Sequence, residues 1–223
     1  MFMSEQIESD GFALVPSVLD PPKCEALTAH LGPVGGAGRR GLLADPVVAE
    51  LARNSRLLDL VRPHTSGEPF PVRVIYFDKS PEGNWLVSWH QDLAIALRKQ
   101  VETPGFGPWS VKEGIPHVHP PAALLERMLT VRVHLDPADE SNGALRVLPG
   151  SHREGRLSTS AIQAWRGRVP EVTCTAACGD ALFMRPLILH ASGRSTARSH
   201  RRVLHIEFAA VALPNGLQWQ EAT

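Results

Sequence analysis

The stretch Val72-Arg73-Val74-Ile75-Tyr76-Phe77-Asp78 runs through the turn Ser80-Pro81-Glu82-Gly83-Asn84 into Trp89-His90-Gln91-Asp92. The first segment is rich in β-branched and aromatic residues, and the second is expected to continue as a strand. On a strand, residues i and i+2 share a face, roughly 7 Å apart. His90 and Asp92 can therefore aim an imidazole nitrogen and a carboxylate oxygen at one point, while Trp89 and Gln91 face the other way. A metal ion suits that point, but two ligands make a weak site, so a third is sought elsewhere in the chain.

Working outward, the flanks supply the fold class. Toward the N-terminus, Gly11 to Val15 is expected to be a short strand. Asp20-Pro21-Pro22 opens a helix that runs to Leu31, with Asp20 as its cap. Gly32 to Gly41 holds five glycines but no Gly-x-Gly-x-x-Gly after a strand, so it is expected to be a loop and not a phosphate cradle. A second helix, from Asp45-Pro46 through Val61, has Val47, Val48, Leu51, Leu58 and Val61 on one side and braces a sheet.

Toward the C-terminus, Val101 to Pro121 is proline-rich and irregular, and a segment of that length suggests a lid. Phe106 and Trp109 on it are candidates to line a substrate pocket. Met128 to Leu135 alternates, with Thr130, Arg132 and His134 on one face, and His134 is a further candidate for the cavity wall. Asn142-Gly143 is a turn, Ala144 to Leu148 the return strand, and Ser158 to Arg168 a surface helix. Strands follow at Val169–Thr175, Ala181–Met184 and Arg202–Ala209. Helices first and then many short strands give an α+β protein, mainly β, with an antiparallel barrel or sandwich. No repeat or linker divides it, so residues 1–223 are expected to form one domain.

Composition excludes several function classes. Lys plus Arg is 23 and Asp plus Glu is 23, so no charge surplus points to nucleic acid or a membrane surface. Three cysteines without regular spacing argue against a disulfide framework. The acidic start, without a long apolar run, leads to the expectation of a cytoplasmic location. A small-molecule substrate is the expected partner. Nothing in the pattern speaks to oligomeric state.

The candidate third ligand is His190, after the apolar run Leu187-Ile188-Leu189. Two histidines and one carboxylate with open positions opposite are the arrangement of non-haem Fe(II) oxygenases. Those positions take a bidentate co-substrate and dioxygen, and a guanidinium can hold the co-substrate's distal carboxylate. Arg201 lies 11 residues past His190 with Arg202 beside it, and only one of the two can face the cavity. His117-x-His119 is a rival metal pair, but it sits in the irregular segment. His200 and His205 are expected to be structural.

The order Trp89-His90-Gln91-Asp92, Asn142-Gly143-Ala144-Leu145, Pro149-Gly150-Ser151-His152, His190 and Arg201 resembles the phytanoyl-CoA dioxygenase family from about Gly11 to Phe208. The resemblance implies a double-stranded β-helix (jelly-roll, cupin-like) core with N-terminal bracing helices. It implies Fe(II), 2-oxoglutarate as co-substrate and dioxygen, with succinate and carbon dioxide released. His90, Asp92 and His190 are implied as the catalytic metal ligands, and Arg201 as the clamp on 2-oxoglutarate. Arg73 and one of Thr130 or Arg132 are implied to touch the co-substrate. Because Asp92 is present, the resemblance implies hydroxylation and not halogenation. The alternative is a cupin-like metal-binding protein or isomerase that does not use 2-oxoglutarate, and it gives Arg201 no task.

Overall fold

Strand alternation builds the molecule. In a computed structural model, which describes residues 3–34, 36 and 38–221, the chain runs α1 (Met3–Ser9), β1 (Phe12–Val15), α2 (Pro21–Leu31), α3 (Pro46–Ala52) and α4 (Ser55–Val61). It continues through β2 (Phe70–Lys79), β3 (Val87–His90), β4 (Ile95–Ala96), β5 (Trp109–Lys112), β6 (Ile115–Val118), α5 (Ala122–Leu125) and β7 (Leu129–His134). The last elements are β8 (Leu145–Leu148), α6 (Thr159–Arg166), β9 (Val172–Thr173), β10 (Ala181–Met184), β11 (Leu189–Ser192) and β12 (Arg201–Ala209). The five-stranded sheet β1-β10-β7-β12-β2 and the four-stranded sheet β3-β11-β8-β9 are antiparallel throughout. This is the double-stranded β-helix core expected from the sequence, mainly β with helices in front.

On the larger sheet one face is apolar. Val74, Tyr76, Leu129, Val131, Val133, Leu204, Ile206 and Phe208 pack there with Leu27, Leu31, Val48, Leu57 and Val61 of the helices. The alternate residues, Arg73, Ile75, Phe77, Arg132, Arg201, His205 and Glu207, line a cavity on the opposite face. Period-two alternation thus separates the brace from the site. Between the two sheets, Leu145, Val147, Leu182, Met184 and Ile188 fill the closed end of the roll.

Several expectations need correction. The helix from Pro46 to Val61 is two helices, because Asn54 leaves the helical conformation and its side chain accepts from Arg56 N–H at 3.0 Å, capping α4. The irregular segment before Pro121 contains the hairpin β5–β6, whose tip, Glu113-Gly114, has positive φ at both residues (54° and 79°). That geometry suits a two-residue hairpin turn. The strand expected over Val169–Thr175 shortens to Val172–Thr173. Within the glycine-rich loop, Gly35 and Ala37 lie outside the described residues, and Arg39 bridges to Tyr76 on β2.

One glycine is fixed by close approach. Gly179 has φ +87°, and a Cβ there would lie 2.0 Å from the Leu19 carbonyl oxygen. Its N–H donates to His134 O and its carbonyl accepts from Leu19 N–H, so neither neighbour can retreat freely. Gly179→Ala is expected to cost at least about 3 kcal/mol, a Tm loss of about 6–12 °C for a chain of this size. A thermal melt within about 2 °C of wild type would contradict this account.

Candidate metal centre and its cavity

His90 ends β3 and His190 lies on β11, and the two are direct partners in the antiparallel ladder. Their ring centroids are 4.2 Å apart. Asp92 lies just beyond the strand and not on it, pinned by its own N–H donating to Pro186 O at 2.9 Å. Between them, Gln91 turns away, as expected: its Nε2 donates to Gly155 O and Leu187 O, each at 2.7 Å, and its Oε1 accepts from Leu157 N–H. Trp89 also faces out, with the Arg146 and Arg166 guanidinium groups over its ring. Ser151, of the Pro-Gly-Ser-His stretch, accepts from Leu189 N–H at 2.8 Å and fixes β11 one residue before His190.

The donor set fits a metal ion. His90 Nδ1 contacts Ser88 O at 2.8 Å and His190 Nδ1 contacts Ile188 O at 2.9 Å. A carbonyl accepts, so each Nδ1 carries the proton and each Nε2 keeps a free lone pair. His90 Nε2 lies 3.7 Å from Asp92 Oδ1, and His190 Nε2 lies 3.6 Å from Asp92 Oδ2. These gaps are too long for good hydrogen bonds, and Asp92 Oδ2 is buried with no hydrogen-bond partner among the described residues. One ligand atom from each residue lies within 4.8 Å of the others. Burial opposes the Asp92 charge, but His190, His205, His90 and Arg132 outweigh it and hold its pKa at about 2. Burial pushes His190 down to about 4 although Asp92 works against the shift. Near neutral pH Asp92 is therefore a carboxylate and His190 a neutral imidazole, protonation states that a divalent ion needs.

The cavity in front of this trio has a volume of about 370 Å³, the size of a small-molecule site. Arg201 lines it and is buried, and its Nε has no hydrogen-bond partner among the described residues. Arg202 points to the opposite side, where its Nε and Nη2 each meet an Asp136 carboxylate oxygen at 2.6 Å. Arg201 is thus the member of the pair that faces the cavity. Burial and the nearby Arg132 push its pKa to about 9, still charged at neutral pH.

Other expected residues fall inside or outside the wall. Arg73 lines the cavity and donates to Glu207 Oε1 at 3.1 Å. Arg132 lines it and Thr130 does not, because Thr130 sits farther along β7. Phe106 and Trp109, expected at a substrate pocket, instead pack on a satellite core with Ile95, Leu97 and Val118. His134 is buried outside the wall, where burial, Arg132 and Arg201 depress its pKa to about 3. The rival pair separates: His119 lines the cavity, whereas His117 Nδ1 is occupied by Ile115 O.

The sequence reading missed several residues of the wall. His205, expected to be structural, lies in it, and its Nδ1 accepts from Arg132 Nη1 at 2.8 Å. Its Nε2 is 3.5 Å from Glu207 Oε1, so Arg132, His205, Glu207 and Arg73 form one polar chain across three strands. Extending the alternation from Arg201 through Val203 would have placed His205 and Glu207 on that face. Ser192, two residues past His190, follows the same rule. Arg40, Trp85 and Lys112 also contribute, and no local pattern announces them. Arg40 reaches the cavity from the glycine-rich loop and pairs with Glu113 at the hairpin tip.

Comparison with known proteins agrees with this architecture. Residues 7–203 match the model of the family described as phytanoyl-CoA dioxygenase (PhyH). The peroxisomal phytanoyl-CoA dioxygenase of Mus musculus is 30% identical over 104 residues, 40% of this chain. The match spans only 30% of that protein's length. AviO1 from Streptomyces viridochromogenes Tue57 superposes with a TM-score of 0.68 at 23% identity, over 96% of each chain. The epimerase SnoN, in complex with Fe3+, alpha ketoglutarate and nogalamycin RO, superposes with a TM-score of 0.66 at 17% identity, over 93% of this chain and 82% of its own. At these identities the two structures establish the shared fold.

Proposed function

The chain belongs to the phytanoyl-CoA dioxygenase family, and from that membership we propose that it uses Fe(II), 2-oxoglutarate and dioxygen to hydroxylate an unactivated C–H bond of a small-molecule substrate. The observation that carries the reading is the trio His90, Asp92 and His190 sharing one cavity with the buried Arg201, whose Nε has no hydrogen-bond partner among the described residues. The Nε2 atoms of both histidines and the Asp92 carboxylate would hold the iron. When bound, the iron with its co-substrate and dioxygen supplies the oxidising power for C–H cleavage and oxygen delivery, releasing succinate and carbon dioxide.

The chain's own residues orient and protect. Arg201 binds the distal carboxylate of 2-oxoglutarate through paired charge-assisted bonds. Arg132 and Arg73, tied through His205 and Glu207, form a rigid polar floor beside it. Ser88 O and Ile188 O hold the ligand rings in one tautomer. The substrate enters past Arg40, Lys112 and His119. A metal centre without 2-oxoglutarate would leave the buried cation of Arg201 without a partner, an arrangement that costs stability.

Anaerobic addition of Fe(II) and 2-oxoglutarate is expected to give a weak visible charge-transfer band, and a metabolite panel should contain a compound that stimulates succinate release. Absence of the band would sink the co-substrate reading. The product then decides the outcome: hydroxylation adds one oxygen atom. An inverted stereocentre would instead indicate epimerisation, the reaction for which SnoN of this fold is named.

A further inference from the structure

We infer that Lys79 is a positioning residue for the co-substrate, holding Ser192 and Gly193 beside Arg201 and taking up a proton as the distal carboxylate of 2-oxoglutarate arrives. This inference rests on the co-substrate reading above.

Lys79 ends β2 directly opposite Arg201 on β12. Directly opposed residues of an antiparallel pair share a face, so both side chains point to the same side of the sheet. Lys79 has no exposed surface at all. Its Nζ donates to Ser192 Oγ at 2.8 Å and to Gly193 O at 2.5 Å, and lies 5.1 Å from the centre of the Trp85 ring. Ser192 and Trp85 are both on the cavity wall, so the ammonium stands one layer behind it.

The surroundings are built around this amine. Ser192 Oγ passes its own hydrogen to Gly143 O at 2.8 Å. Gly143, with φ +74°, admits no side chain: a Cβ would lie 2.5 Å from Gly193 O and 3.1 Å from Lys79 Nζ. The Asn142-Gly143 turn is therefore more than a chain reversal, since it leaves room for the lysine.

No carboxylate pairs with Lys79 among the described residues. The charged groups acting on it are cations: Arg201 from β12, Arg132 from β7 and Arg194 from the loop after β11. On the same face of β7, His134 is held neutral by burial and the same two arginines, Arg132 and Arg201. The groups that β11 and the Asn-Gly turn present, Ser192 and Gly143, do not titrate. The adjacent Asp78 is engaged by His200 Nδ1 at 2.7 Å. A buried ammonium among cations and without a counter-ion is costly, and burial with those arginine charges pushes Lys79 down to about 7.

An arriving carboxylate reverses the balance. It favours the charged amine, so the bound-state pKa lies above the free value of about 7. Above pH 7, binding must then draw a proton from solution. Affinity falls as pH rises through the window between the two values, by at most about tenfold per pH unit. An ordinary surface lysine, charged throughout that range, produces no such linkage.

The test is calorimetric titration of anaerobic Fe(II)-loaded protein with 2-oxoglutarate at pH 8, in phosphate and in Tris. The two buffers have different ionisation heats, so the difference in apparent enthalpy counts protons. Wild type is expected to take up most of a proton. Lys79→Arg, always charged, should bind with no more than about a tenth of a proton, the share that Arg201 at about 9 leaves uncharged at pH 8, and should show a flat pH profile below that pH. Lys79→Met should bind about ten- to a hundredfold more weakly, with equally little uptake. Wild-type binding with no proton uptake, or undiminished uptake in either variant, overturns the inference and leaves the co-substrate reading intact. Failure of wild type to bind 2-oxoglutarate overturns both. The wild-type measurement decides even where a variant does not fold.

Discussion

Asp92→Ala is expected to abolish stoichiometric metal binding and lower substrate-dependent succinate formation by at least about a hundredfold. Groups that merely support metal ligands are worth 10- to 100-fold, and Asp92 is placed to be a ligand itself. The two imidazoles that remain are held by β3 and β11, whose pairing does not involve Asp92. The variant should therefore fold. Its metal-free form should still melt cooperatively, at a temperature at or somewhat below wild type at neutral pH, because the fold favours the Asp92 carboxylate in its charged form. Metal analysis after reconstitution, together with a melt, separates loss of the site from loss of the fold. Metal content and turnover at wild-type levels would mean that the ligands are misassigned.

The second large effect concerns Arg201. Arg201→Ala should weaken 2-oxoglutarate binding by about thirtyfold to a few thousandfold, the consequence of losing about 2–5 kcal/mol from a buried charge pair. Titration of the charge-transfer band reads this directly. Arg201→Lys should recover only part of it, because an ammonium cannot make two parallel bonds. The empty protein should be as stable as wild type or more so, since Arg201 is a buried cation near Arg132 without an ion-pair partner among the described residues. An unchanged dissociation constant would remove Arg201 from the co-substrate site. Opposite effects on binding and on stability are the signature of a residue retained for its ligand.

The two arginines show where local pattern stops. Adjacent residues of a strand face opposite ways, so one of Arg201 and Arg202 had to enter the cavity. The choice was made by Asp136, 66 residues away, which takes Arg202 with both carboxylate oxygens. Among the described residues, no helix is long and apolar enough to cross a membrane. The same long-range logic moved Phe106 and Trp109 away from the site. A hairpin at Glu113-Gly114 folds their segment onto Leu97 and Val118, turning an expected lid into a wall with its own small core.

Local alternation along each strand set the faces. Arg132 and His134 against Val131 and Val133, and Arg201 against Leu204 and Ile206, are periodicities set by backbone geometry, and each survives in the structure, whereas Asp92 lies past the end of β3 and meets His90 through its tie to Pro186. Partners were chosen by the assembled fold: His190 opposite His90, Arg132 in the wall where Thr130 is not, His205 bridging Arg132 to Glu207, and Lys79 behind Ser192. The difference is one of range. A strand's alternation is dictated by its own residues, whereas the burial and charge of a side chain depend on strands that arrive from a hundred residues away.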